Sequence, residues 1–347
     1  MENNKNQIKK SIELGQCVTV NGMPGVGISL FLKELCEENF AQFYYVDIFA
    51  LSQISTDALF KELSRLLGNN DSPNHIEEIQ QSLQEKIQSK PIAICFAGFD
   101  KLEKNLTKKF FDDLRAIRNT DRSKIIFIFG VCKRLETIIP ESVMDSDISM
   151  FSKKLYLTPF SSDECEYLLQ KYGPKLDREK ITLSGGHFQL LQLLIQTEFP
   201  TNPLNDQFIE LCLKNIYSHL TVHQRKVLQK IPGGKIPAQI DPYLTNIGIV
   251  NNRNEFFSPL FQSFVLNQQS KKIPAKEGKL FRLLKARLGT IVNKTDIFRT
   301  VWGESSGDAT DWALDSLIYR LRKNETFQKS GYYIESVKKQ GYILIKN

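Results

Sequence analysis

Apolar residues follow two different rhythms along this chain. Over the first 160 residues, short unbroken apolar runs alternate with longer stretches of helical spacing. CVTVNG (17–22), FYYVDIF (43–49), PIAICFAGF (91–99) and KIIFIFGV (124–131) have strand character. The last two are apolar throughout, as in strands covered on both faces. Between them, 29–40, 56–68 and the stretch from His75 repeat apolar residues at helical spacing. Gly68 is a natural helix stop, and GNNDSPN (68–74) has loop composition. Strands separated by helices predict a parallel, three-layer α/β sheet.

Past about residue 158 the strand runs cease. SSDECEYLLQKYG and GGHFQLLQLLIQTEF have helical spacing, and 206–268 reads as a small helical domain with a hairpin. QQSKKIPAKEG (268–278) is polar and contains a proline, which marks a linker. Beyond it, Leu280, Leu283 and Leu284 give one helix, and Ile297, Phe298, Val301 and Trp302 a second. In 310–324, Leu314, Ile318 and Leu321 share one buried face, while Trp312, Ser316, Tyr319, Arg320 and Lys323 lie opposite. YYIESVKKQGYILI (332–345) alternates around Gln340-Gly341, as a hairpin does.

Composition narrows the classes. At 347 residues, with 41% hydrophobic and 24% charged, the chain fits two or three globular domains rather than a disordered polymer. No apolar run is long enough to span a bilayer, and the polar first residues lack the core of a secretory signal. The six cysteines have neither metal-ligand nor disulfide spacing, and the four histidines do not pair with them. These features suggest a cytoplasmic protein with no metal site and no membrane partner. Charge is uneven: from Lys271 onward 16 basic residues face 8 acidic ones, a net of +8 against +7 for the whole chain. A basic terminal module suits a polyanion partner.

Gly22-Met23-Pro24-Gly25-Val26-Gly27-Ile28-Ser29 has the spacing of a phosphate loop between a strand and a helix. Such a loop curls backbone N–H groups around phosphate oxygens, its lysine reaches the phosphates, and its hydroxyl holds Mg²⁺. Here Ile28 stands at the lysine position. Ala97 stands where a metal-binding aspartate would end a buried strand, although Asp100 follows closely. Candidate nucleotide contacts are Gly22, Gly25, Gly27, Ser29 and Asp100, with ATP or ADP as the cofactor. A loop serving only as a tight turn, a loop that binds without hydrolysis, and an active ATPase all stay open. The double loss favours a pseudo-ATPase with no catalytic residue.

The segment 92–102 resembles the "apolar run, Asp, Gly, Phe, Asp, Lys, Leu" of AAA+ and STAND-type ATPases. LTPFSSDECEYLL (157–169) resembles the start of their lid helices, and Gly185-Gly186-His187-Phe188 their "GGHP". The resemblance covers about 11–268 and implies a P-loop NTPase-like core (1–158), a helical lid (159–205) and a winged-helix-like domain (206–268). His187 reads as a helix N-terminal or packing residue. After a linker (269–278), residues 274–345 resemble the OmpR/PhoB-type winged helix. The match is carried by Phe281-Arg282-Leu283-Leu284, Val301-Trp302-Gly303, Arg320-Leu321-Arg322 and Gly341-Tyr342. Lys339 stands where that family has glycine, and the family's four-stranded platform has no counterpart before residue 274.

This resemblance implies that a domain over 279–347 binds double-stranded DNA with 309–323 as the recognition helix. Arg320 is the candidate guanine reader. Trp312, Ser316, Tyr319 and Lys323 join it, with Ser316 and Tyr319 open between bases and phosphates, and Lys338 and Lys339 on the wing contact phosphates or the minor groove. Arg322 is open between an internal bond and DNA, and Trp312 between a stacking residue and a cover for the helix start. The whole reads as a sequence-specific transcriptional regulator with a sensing or oligomerisation domain, its further partners being RNA polymerase, a signalling protein or a second copy. The alternatives are a STAND-like ATPase with a noncanonical loop and a protein-interaction scaffold.

Overall fold

A computed structural model describes residues 2–69, 75–87, 90–141, 143, 149–172, 178–196, 203–231, 240–270, 274–303, 309–328, 331–338 and 340–346. The chain forms two compact units, Met1–Gln262 and Ser263–Asn347. Among the described residues no helix is long and apolar enough to cross a membrane.

The first unit is built on strands β1 (Val18–Gly22), β2 (Gln42–Asp47), β3 (Ile92–Ala97), β4 (Ile125–Val131) and β5 (Lys154–Leu157). Their order is β2-β3-β4-β1-β5, with every neighbouring pair parallel. β3 and β4 are buried at every position, which explains why their sequences carry no polar alternation. The helices of this half are α1 (Glu2–Glu13), α2 (Ile28–Leu35), α3 (Thr56–Leu66), α4 (His75–Lys86) and α5 (Lys108–Arg118). α3 shows how local chemistry sets a boundary. Ser55 Oγ accepts from Ala58 N at 3.2 Å to open it. Beyond its end Gly68 takes φ 92°, and Gly68 N and Asn69 N bond back to Arg65 O and Ser64 O. That is a left-handed C-terminal cap, as Gly68 predicts.

The core of this half is aromatic. Phe96 on β3 stacks on Phe129 of β4 at 5.7 Å between ring centroids, and Phe99 meets Phe129 at 4.7 Å. Phe127, Phe110, Phe111 and Phe151 extend the group. Phe127 and Phe129 are two apart, so the pleat turns both to one face.

After β5 come α6 (Ser162–Tyr172), α7 (Arg178–Ser184), α8 (Phe188–Gln196), α9 (Gln207–His219), α10 (Val222–Lys230), α11 (Pro242–Asn246) and α12 (Pro259–Ser270). The hairpin expected within 206–268 is a single antiparallel bridge, Val250 to Phe256. Asn254 at φ 64° makes the turn.

The second unit holds α13 (Ala275–Ala286), β6 (Ile291–Asn293), α14 (Lys294–Trp302), α15 (Asp311–Lys323), α16 (Glu325–Gln328), β7 (Tyr332–Val337) and β8 (Gly341–Lys346). Its sheet runs β6-β8-β7 and is antiparallel. α13 begins at Ala275, inside the stretch that reads as linker. Leu280, Leu284, Ile297, Val301, Leu314, Leu317, Ile318 and Leu321 meet Ile334 and Leu344 in one core. Gly341 is forced by close approach: a Cβ there would collide with the Val292 carbonyl.

Phe129→Ala should lower stability by about 3–5 kcal/mol, the range for truncating a buried phenylalanine. Phe208→Ala, at a residue 69% exposed, should stay within about 0.5 kcal/mol. Urea unfolding of the two variants checks the contrast.

Candidate functional site

Two places carry chemistry-bearing residues, the glycine loop of the first unit and the outer face of α15 in the second. The loop runs from the end of β1 into α2, at the carboxyl end of the sheet where such folds bind ligands. Gly25 and Gly27 adopt φ 79° and 110°, so the loop has the left-handed backbone that its glycines allow.

The side chains around the loop have changed use. Ile28 is only 8% exposed and lies over β4, where a Cβ on Gly130 would come within 2.8 Å of its Cγ2. Gly130 pairs in register with Ala97, which is fully buried. The positions of the lysine and the aspartate thus form an apolar seam with no cation and no carboxylate. A Mg²⁺–nucleotide needs both, so these residues do not fit one. Ser29 is half-buried. The Tyr45 phenol is raised above its ordinary range chiefly by burial, with Asp47 adding to the rise and Ser29 opposing it.

The loop's carbonyls face α8. His187, fully buried, puts Nε2 2.8 Å from Pro24 O, and Gln189 N donates to Gly25 O at 3.0 Å. A carbonyl only accepts, so Nε2 carries the proton. Nδ1 accepts from Leu190 N at 3.2 Å, capping α8. The ring is held neutral, in one tautomer, with both nitrogens used. Burial lowers its pKa from 6.5 to about 4. A side chain on Gly25 would strike His187 and Gln189, and one on Gly186 would strike the Phe160 carbonyl.

Asp100, 4% exposed, follows β3 and accepts from Cys132 N at 3.2 Å. The Cys132 carbonyl accepts from Tyr243 Oη at 2.8 Å and lies 2.5 Å from His219 Nε2. Arg134 lies over the Tyr243 ring at 4.6 Å, and its Nη2 is 3.5 Å from Asp241. Burial raises the Cys132 thiol to about 12, with Asp100 adding to it, and burial lowers His219. The end of β4 is therefore a polar joint to α9 and α11.

On α15, Thr310 Oγ1 accepts from Ala313 N at 3.2 Å and opens the helix. Trp312 is 79% and Tyr319 62% exposed, Ser316 is half-buried, and Lys323 lies over the Tyr319 ring at 5.9 Å. At that exposure Trp312 does not cover the helix start. Arg320 Nε donates to Glu277 Oε1 of α13 at 2.7 Å, and the Glu277 side chain is 5% exposed. Arg322 Nη2 donates to Ile334 O at 2.8 Å and Ser336 Oγ at 3.2 Å, so it bonds inside the domain. Tyr342 Oη donates to Asp315 at 2.5 Å, and burial with that carboxylate raises the phenol. Lys338 is exposed on the wing, and Lys339 lies outside the described residues.

Sequence reasoning placed Glu277 in a linker. It precedes Leu280 by three positions and Leu284 by seven, which puts a carboxylate on the buried stripe of α13. A charge there needs a partner, which was the readable signal. The tie of Asp315 to Tyr342 across the hairpin had no such signal.

A family model described as "Transcriptional regulatory protein, C terminal" matches residues 268–344. This part of the chain is an OmpR/PhoB-type winged-helix domain, and the N-terminal unit is a parallel five-stranded sheet with a glycine loop after its first strand. No curated protein sequence matches. Solved structures similar to the chain include a Walker-type ATPase of Pyrococcus abyssi (13% identity, TM-score 0.47, covering 76% of this chain and 95% of that one). The Aeropyrum pernix ORC1 protein in complex with DNA is similar at 11% identity and TM-score 0.43, over 99% of this chain and 88% of that one. A STAND protein with a tetratricopeptide repeat sensor from Pyrococcus horikoshii is similar at 16% and 0.34, over 93% and 50%.

Two outcomes follow. The unfolded chain protonates its histidines near 6.5, whereas folded His187 resists until about 4. Stability therefore falls as pH drops through that window, by about 3 kcal/mol from this residue. His187→Asn should flatten that part of a pH series of urea midpoints. Arg320→Ala should destabilise the second unit by about 1–3 kcal/mol by stranding Glu277. Adding Glu277→Ala should restore part of the loss in a double-mutant cycle.

Proposed function

We propose that the chain is a sequence-specific DNA-binding regulator of transcription whose P-loop-like unit works without nucleotide hydrolysis. The observation that carries this reading is the C-terminal winged-helix domain over 268–344, which also holds the chain's excess positive charge. α15 enters the major groove with its outward face toward base edges, and Lys338 on the wing meets phosphates. The partner is double-stranded DNA, in a cytoplasmic setting.

The N-terminal unit then serves as a sensing or assembly module. Its parts are the core (1–158), the lid (159–205) and the middle domain (206–268), followed by a connection (269–278) and the DNA-binding domain (279–347). Ile28 packed on Gly130 and the His187–Pro24 bond support a structural use of the glycine loop.

The test is fluorescence anisotropy of the full chain on duplex fragments over a salt series. The expected result is selective binding whose logarithm falls linearly with log salt. Lys338→Ala should weaken all fragments alike and reduce the slope by about one phosphate contact. Absence of binding at low salt would make the domain a protein-contact module and refute the proposal. Added Mg²⁺–ATP should leave the curves unchanged.

A further inference from the structure

The outward face of a helix is set by its geometry. Positions i, i+4, i+7 and i+11 line up in one stripe. In α15 that stripe is Trp312, Ser316, Tyr319 and Lys323. Arg320, eight positions past Trp312, lies about 80° round the helix from the stripe's start. Its Nε donates to the buried Glu277 carboxylate, while the side chain stays 57% exposed. Pulling it away would leave that carboxylate buried and unpaired. On the other flank Arg322 is bonded to the wing strand.

The acidic groups of the helix are occupied too. Asp311 pairs with Lys294 at 2.9 Å, and Asp315 accepts from Tyr342. What the helix offers a groove is two large rings, with a hydroxyl between them and a lysine whose ammonium sits over the second ring. Trp312 is in the first turn, the part of a recognition helix that reaches base edges. A tryptophan 79% exposed beside a tyrosine 62% exposed is a large apolar surface to leave facing water.

Only one base edge in the major groove is apolar, the C5 methyl of thymine. We infer that this domain selects thymine-bearing, A·T-rich sites, with the Trp312 and Tyr319 rings against thymine methyls as the specificity-determining contacts. Arg320, whose Nε ties α15 to Glu277 of α13, flanks that stripe. The inference rests on the DNA-binding reading and adds the base chemistry to it.

The full chain is incubated with a pool of duplexes of randomised centre at low salt, and the retained duplexes are sequenced. The most enriched site is then remade with uracil for thymine, which removes the methyl and leaves pairing and phosphates unchanged. The expected result is thymine enrichment at the contacted positions and a loss on the order of fourfold per contacted thymine on uracil exchange, the effect of one buried methyl. Trp312→Ala should shrink the thymine–uracil difference by about one contacted methyl, the Trp312→Ala/Tyr319→Ala pair should abolish it, and Tyr319→Phe should keep it, because the ring stays. An enriched site centred on guanine, with affinity indifferent to uracil, overturns this inference and leaves the DNA-binding reading standing. Failure to retain any duplex overturns both.

Discussion

The hydrogen bond from His187 Nε2 to the Pro24 carbonyl fixes the glycine loop of the first unit against α8. A phosphate loop works because its backbone groups and helix N-terminus are free to meet an anion. Here the loop's carbonyls meet α8, and a neutral, fully buried imidazole holds them. With Ile28 turned onto β4, the lysine position of the loop carries no charge. The glycines keep their left-handed backbone for a second reason, since a side chain on Gly25 would strike His187 and Gln189. Glycine spacing is therefore the same whether the loop cradles a phosphate or accepts a lid.

The same substitution of structure for chemistry recurs at the end of β4. Asp100 receives a backbone N–H instead of a metal, and the Cys132 carbonyl receives Tyr243 and the ring of His219. Core, lid and the following helices are joined through buried, satisfied polar groups, which strengthen in low dielectric and fail together when one member is lost.

Much of this was legible in the sequence, for definite reasons. β3 and β4 announce themselves by unbroken apolar runs, and Gly68 by its place after a periodic stretch. The loop was found by glycine spacing, and its loss of charge by Ile28 and Ala97. The partners of those residues were not legible, because His187 lies 163 positions from Pro24 and Glu277 lies 43 from Arg320. Spacing along a helix reports which face a residue takes, and not what packs against that face. Arg320 illustrates the limit: its position suggests a base reader, and only the structure shows the buried carboxylate that its Nε also meets.

Affinity and selectivity are consequently separable in the second unit. The domain's excess charge sits on residues outside the stripe, such as exposed Lys276, Lys279 and Lys285 on α13 and Lys338 on the wing. Charge of that kind attracts any duplex and carries no sequence information. The two arginines of α15, which would otherwise add to it, are spent on internal bonds that fix the helix against α13 and the wing. A helix so fixed holds the backbone positions from which Trp312 and Tyr319 project. Rigid placement is what turns a nondirectional apolar contact into a selective one, because a methyl group is recognised by being in the right place rather than by a bond it makes.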